Sequence, residues 1–310
     1  MLIRSYQPGD EGAQARIYNT VAGALPGFKP ASPDEVARRS RTSAPDLPSK
    51  LYAVEGDEVV GYAVLNANGR ISHPWCLPEA QAARAPLLEA TLAAARRLGR
   101  TDVWAAYRAD WEPVLAFLRA HGFAPAREMI NYVAERARLP RSPVPKGQVL
   151  APLRREDVPR LVDLGQGLFA DESQRDLEDF FWNNPSFGAE SLFALRPMGE
   201  GVIRGAALVV VGAGYADPTR IDAAMPCFRL GAFGTERERH KRINGLFSCV
   251  FADPGAAEML LSEAQRRLVP VGLSHLAAQV PSDRPGLCAF YDAFFQRQGS
   301  FPILARRLDD

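Results

Sequence analysis

Two stretches of the chain, LIRSYQPGDEGAQARIYNTV from Leu2 to Val21 and VLAPLRREDVPRLVDLGQGL from Val149 to Leu168, read alike. Each is a short apolar run, an acidic turn, and then a helix with apolar residues at three- and four-residue spacing. The segments after them also match. Leu51–Leu65 is two β-rich runs around Glu55-Gly56-Asp57, and Ser191–Val211 is two runs around Met198–Gly201, so both read as hairpins. After each hairpin come a strand and a helix with paired leucines, Leu87-Leu88 and Leu260-Leu261, and then the strands Asp102–Tyr107 and Leu273–Val280. A helix and a last strand close each half, with Gly122 and Gly299 at the expected helix C-caps. The order predicts one α/β unit used twice.

Between the copies, Arg136–Gln148 (RARLPRSPVPKGQ) combines Pro140, Pro143 and Pro145 with cationic residues, the composition of an exposed linker. The expected organisation is therefore residues 1–135, a linker at 136–148, and residues 149–310. The whole chain is 310 residues with 37 Lys+Arg against 36 Asp+Glu, and a net charge of +1 gives no field to draw nucleic acid or an acidic membrane. At 47% hydrophobic and 24% charged residues it can bury a core. Cys76, Cys227, Cys249 and Cys288 are far apart without a CxxC pair, which points to free thiols and to no metal site. The N-terminal MLIRSYQPGDEG reaches charged residues before a signal-like apolar run, and no 18-residue apolar stretch occurs later, so a cytoplasmic location is expected.

Strand, helix, hairpin, strand, helix, strand, a helix ending in His-Gly-Phe, and strand is an order that resembles the GNAT-type N-acetyltransferase superfamily, most locally at Leu115–Phe123 (LAFLRAHGF). The resemblance covers nearly the whole chain outside the linker. It implies an α/β fold with mixed α+β sheets, as two tandem GNAT-like acyl-CoA N-acyltransferase domains, with acetyl-CoA as cosubstrate. In that family the donor lies where a central strand splays from its neighbour, with its phosphates on a Q/R-x-x-G-x-G/A loop opening a helix.

In the first half that loop corresponds to Pro78–Leu88, with Gln81 at the Q/R position and Arg84 and Pro86 where glycines would stand. The resemblance thus implies a donor site made of Gln81, Ala82, Ala83 and Arg84, with pantetheine along the strand at Cys76 and Leu77. In the second half the corresponding stretch, Asp253–Leu261, is shorter. Gly255 and Ala256 can face an anion there, or Asp253 and Pro254 simply start a helix.

Acetyl transfer to an amine needs a base for the nucleophile and a donor for the departing thiolate. The family's usual tyrosine position is Leu118 in one half and Phe295 in the other, so Tyr291, one turn earlier, is the available acid, or else one member of an aromatic core stripe. The polar run Gly234–Gly245 (GTERERHKRING) reads as a charged hairpin tip, or as a site in which Glu236 or His240 is the base. His73, His121 and His275 read as structural. Together these residues predict transfer of an acetyl group from acetyl-CoA to a primary amine of a small molecule or peptide by direct attack. The alternative is a non-catalytic acyl-CoA-sensing or interaction module built from degenerate copies.

Overall fold

The computed structural model describes residues 1–41, 50–66, 68–165, 168–169, 173–183, 187–199, 201–212, 214–220 and 243–308. In chain order the elements are β1 (Leu2–Ser5), α1 (Asp10–Ala22), α2 (Pro33–Arg41), β2 (Lys50–Glu55), β3 (Glu58–Val64), β4 (Trp75–Cys76), α3 (Arg84–Arg97), β5 (Asp102–Ala106), α4 (Glu112–Ala120) and β6 (Ala124–Glu135). The second half contributes β7 (Gln148–Pro152), α5 (Val158–Leu164), α6 (Gln174–Trp182), β8 (Leu192–Pro197), β9 (Gly205–Val210), β10 (Leu246–Phe251), α7 (Pro254–Leu268), β11 (His275–Pro281), α8 (Pro285–Phe294) and β12 (Gln296–Arg307). They form two compact units, residues 1–128 with 301–310, and residues 129–300.

In the first unit the antiparallel order is β1-β2-β3-β4, with the β2–β3 turn made at Gly56 (φ +58°). Alternation puts Tyr52, Val54, Tyr62 and Trp75 into a core with Ile17 of α1 and Leu88 and Leu92 of α3, while Leu51, Ala53, Val60 and Cys76 meet Leu87 in a second cluster. The paired leucines of α3 therefore serve two clusters. β5 pairs antiparallel with the end of β12, from Ile303 opposite Ala106 to Arg307 opposite Asp102, and Leu304 is buried in the same core as Val103 and Leu115.

In the second unit β6, β11, β10, β9, β8 and β7 lie side by side in that order. All neighbours are antiparallel except β10 and β11, which are parallel. Gly245 enters β10 with φ +76°, and a Cβ there would lie 2.5 Å from the His275 carbonyl oxygen, so only glycine lets the two strands meet.

The division differs from the one expected at 136–148. Its breaks fall inside β6 and β12, because the last strand of the chain pairs with β5. Residues 136–148 are largely exposed, as their composition predicts, but they are held to the second unit at several points. Leu139 is buried in the same cluster as Leu268, Val144 packs on that cluster, the Arg136 amide donates to Ser274 O at 2.7 Å, and the Ser142 amide donates to the Ser262 hydroxyl at 2.7 Å. Gly122 does follow α4 with φ +81°, whereas Gly299 lies within β12, since α8 already ends at Phe294.

Leu304→Ala is expected to destabilise the first unit by about 2–5 kcal/mol, the usual range for emptying a fully buried leucine site. The check is urea unfolding followed by the fluorescence of Trp75, Trp104 and Trp111, all of which lie in that unit.

Candidate active site

The last parallel rungs that join the chain before β4 to β5 are Trp104 N to Gly69 O at 3.1 Å and Ile71 N to Trp104 O at 2.8 Å. At His73 the strands have parted: its amide donates to the Tyr107 hydroxyl at 2.5 Å, and the Arg70 guanidinium takes the Ala106 carbonyl at 3.1 Å. β4 stays bound to β3 on its other side, with Leu77 N on Val60 O at 2.9 Å. Buried backbone groups freed by such a split must find other partners, and here side chains supply them.

The groups predicted for the donor site gather at this split. The Gln81 side-chain amide donates to both the Cys76 and Leu77 carbonyls, at 2.9 and 3.0 Å. Ala82 is exposed and Ala83 buried in the 3-10 turn Pro78–Ala83 that leads into α3. The Arg84 side chain does not reach outward toward a phosphate. It folds inward, with Nη2 2.9 Å from His73 Nε2, Nη1 3.1 Å from Gln81 Oε1, and its guanidinium 4.3 Å above the Phe117 ring. Burial lowers its pKa, and Arg84 Nε is buried without a hydrogen-bond partner among the described residues.

His73, which the sequence reads as structural, lies at this split. It is 3% exposed, edge-on to Trp75 and Phe117, and its pKa lies well below the ordinary histidine value because of burial first and the Arg84 charge second. Its Nδ1 is buried and has no hydrogen-bond partner among the described residues. The one available signal was His73-Pro74 within a strand, since Pro74 brings no amide to the strand edge. Tyr107, pushed up to about 12 by burial, stacks on Trp111 behind it.

The second unit treats its split differently. β10 and β11 share one register pair, Leu246 with Ala277, with Ala277 N on Gly245 O at 2.9 Å. Around it the unit packs rings: Phe247 stacked on Phe295, Tyr291 against Phe247 and Tyr132, and Phe251 against Phe290. Tyr291 is 2% exposed with its hydroxyl 3.7 Å from Cys249 Sγ, and burial holds its pKa well above the ordinary value. It therefore sits in the core stripe. Leu118 and Phe295 are core residues as well.

Gly255 and Ala256 lie in the first turn of α7, where Asp253 Oδ1 already accepts from Ala256 N at 3.0 Å and Arg204 pairs with the other carboxylate oxygen. That amide first, and Arg204 after it, hold Asp253 below the usual carboxylate range despite partial burial. An anion there would meet a carboxylate. Glu236 and His240 lie outside the described residues. The second unit also has a cavity of about 640 Å³ at the start of β11, lined among others by Glu135, Arg138, His275 and Phe295, but Glu135 is paired with Arg138 at 2.8 Å and its lining includes no unpartnered buried side-chain atom. Among the described residues no three His, Cys, Asp or Glu side chains are placed to hold a metal ion, and no helix is long and apolar enough to cross a membrane.

The buried neutral His73 has a consequence for stability. Its folded pKa lies below the unfolded value of about 6.5, so under acid the unfolded chain binds a proton that the folded chain refuses. Stability is complete above about pH 6.5 and falls as pH drops, with a limiting slope of about 1.4 kcal/mol per pH unit. Urea unfolding between pH 7 and 5 is expected to show this slope, and His73→Leu to flatten it.

No protein-family model matches the chain, and no curated protein matches it. Solved structures do. A GCN5-related N-acetyltransferase from Sphaerobacter thermophilus superposes with a TM-score of 0.58 at 16% identity, over 100% of this chain and 96% of that one. A tandem GNAT protein from the clavulanic acid biosynthesis pathway gives 0.54 at 14% identity, over 100% and 98%. A GCN5-related N-acetyltransferase from Kribbella flavida gives 0.55 at 13%, over 99% of this chain and 71% of that one. At these identities the likeness is one of fold, and the fold is that of the GCN5-related N-acetyltransferases in its tandem form.

Proposed function

We propose that the chain is an acyl-CoA-dependent N-acyltransferase whose donor site is the split strand pair of the first unit, moving an acetyl group to a primary amine of a small molecule or peptide by direct attack. The observation that carries this is the bonding of Gln81. Its side-chain amide donates to the Cys76 and Leu77 carbonyls, the groups with which an amide of pantetheine would pair, so the exposed glutamine holds a ligand's place on the strand and can be displaced from it. The exposed backbone at Ala82 and Ala85, at the entry to α3, is where the diphosphate would sit. The donor belongs to the first unit because the start of α7 in the second is capped by its own Asp253.

A second reading, a non-catalytic acyl-CoA-sensing or interaction module, is favoured by one observation: no described tyrosine occupies the family's usual position in either unit, Leu118 and Phe295 standing there instead. Transferases that rely on orientation and on donors to the developing oxyanion still accelerate the reaction without such an acid.

Calorimetric titration with acetyl-CoA, alongside CoA release with a panel of primary amines, separates the two. The expected outcome is saturable binding with turnover, weakened about tenfold or more by Ala82→Asp, which sets a carboxylate beside the diphosphate, and not by Gly255→Asp. Binding without CoA release across the panel would support the module. A loss confined to Gly255→Asp would move the site to the second unit, and absence of binding would overturn donor use altogether.

A further inference from the structure

Arg84 and His73 make a pair whose chemistry is fixed by one hydrogen bond. A guanidinium is always a donor, so the 2.9 Å contact from Arg84 Nη2 requires His73 Nε2 to be the acceptor. The imidazole is neutral, and its one proton must therefore be on Nδ1. That N–H is buried and has no partner among the described residues, an arrangement that is costly if nothing answers it. It stands just past the last parallel rung, where the strands open. The backbone amide of the same residue is unavailable, being bound to Tyr107, and Pro74 has none.

Resting on the first unit as the acyl-donor site, we propose that His73 Nδ1–H is a catalytic donor to the thioester carbonyl oxygen, with Arg84 as the positioning residue that selects the tautomer. The amine nitrogen forms a bond to the carbonyl carbon, and the C=O electron pair moves onto oxygen, where His73 Nδ1–H receives it. The pair returns as the C–S bond breaks and CoA leaves as thiolate. The nitrogen gives one proton to water and the thiolate takes one from water, so His73 begins and ends neutral. A positive guanidinium on Nε2 polarises the ring and makes Nδ1–H a stronger donor as charge grows on oxygen. The pair of roles also accounts for the inward turn of Arg84.

Two measurements test this. Long-range proton–nitrogen NMR of histidine-labelled protein is expected to show His73 as the neutral Nδ1–H tautomer at pH 7, and an unreactive carbonyl analogue of acetyl-CoA is expected to move the Nδ1 proton downfield. In Arg84→Met the fixed tautomer is expected to be lost. In kinetics, His73→Leu is expected to lower kcat by about 10²- to 10³-fold, the range for removing one oxyanion donor, while the Kd for acetyl-CoA changes less than about threefold. His73→Asn, which can place an amide N–H near the same point, is expected to recover part of the loss. An Nε2–H tautomer in the wild type, or a folded His73→Leu protein turning over at the wild-type rate, would overturn the proposal while leaving the acyltransferase intact. If His73→Leu fails to fold, the wild-type spectrum with the carbonyl analogue decides, an unmoved Nδ1 proton counting against it. A wild type that neither binds acetyl-CoA nor releases CoA would overturn the acyltransferase reading, and the role of His73 with it.

Discussion

Parallel strands that stop pairing while still buried leave backbone donors and acceptors that have lost their ladder partners, and a protein interior does not leave such groups unanswered. The first unit answers with polar side chains: Tyr107 takes the His73 amide, Arg70 the Ala106 carbonyl, and Gln81 the carbonyls of Cys76 and Leu77. Each is a substitute for a strand, and each marks a point where a ligand's own polar groups can replace it. Everything chemical about the candidate site depends on this parting of β4 from β5.

The second unit meets the same constraint and fills it with carbon. Phe290 and Tyr291 of α8 and Phe295 after it pack their rings on Phe247 and Phe251 of β10, and among the described residues the Tyr291 hydroxyl and the Cys249 thiol face each other. Rings packed at 5–6 Å gain dispersion and release water, and the unit gains stability where the first keeps exchangeable hydrogen bonds. The same division appears at the two helix starts. Asp253 caps α7 with a carboxylate, whereas α3 is preceded by a 3-10 turn with no side-chain cap. Of two copies of one fold, one is closed by its own sequence and the other by contacts that a ligand can replace.

The architecture was legible because it rests on local patterns. Paired leucines, two hairpins with their turns, and Gly122 after α4 each lie within a few residues of the structure they determine. The asymmetry of the helix starts was legible too, since Asp253-Pro254 is a cap signal in itself. The features that stayed hidden depend on distant pairing. Nothing near residues 301–308 says that they will lie on β5, about two hundred positions earlier, and that pairing sets the division between units. Gly299 was misplaced for a related reason: α8 ends when its aromatic stripe is spent at Phe294, and the chain then extends into β12. At the site, Gln81 bonds locally to the Cys76 and Leu77 carbonyls, but the inward fold of Arg84 depends on Phe117 of α4 and on His73 before β4, which are distant from it in sequence.

The arrangement around Gln81 sets a bound on how tightly the first unit can hold a donor. Displacing the glutamine surrenders two hydrogen bonds worth about 0.5–1.5 kcal/mol each, which would weaken binding roughly fivefold to a hundredfold. Because Gln81 is exposed, its amide regains water when it leaves, and the penalty falls toward the lower end. Arg84 is held differently. Its guanidinium lies on the Phe117 face and on a neutral histidine, and among the described residues no carboxylate contributes to the shift of its pKa. A cation kept half-buried without a counter-charge attracts any anion that comes near the start of α3. The charge at the split is thus held in place by an aromatic face and an imidazole and, among the described residues, not by an ion pair, which keeps its field open toward the start of α3.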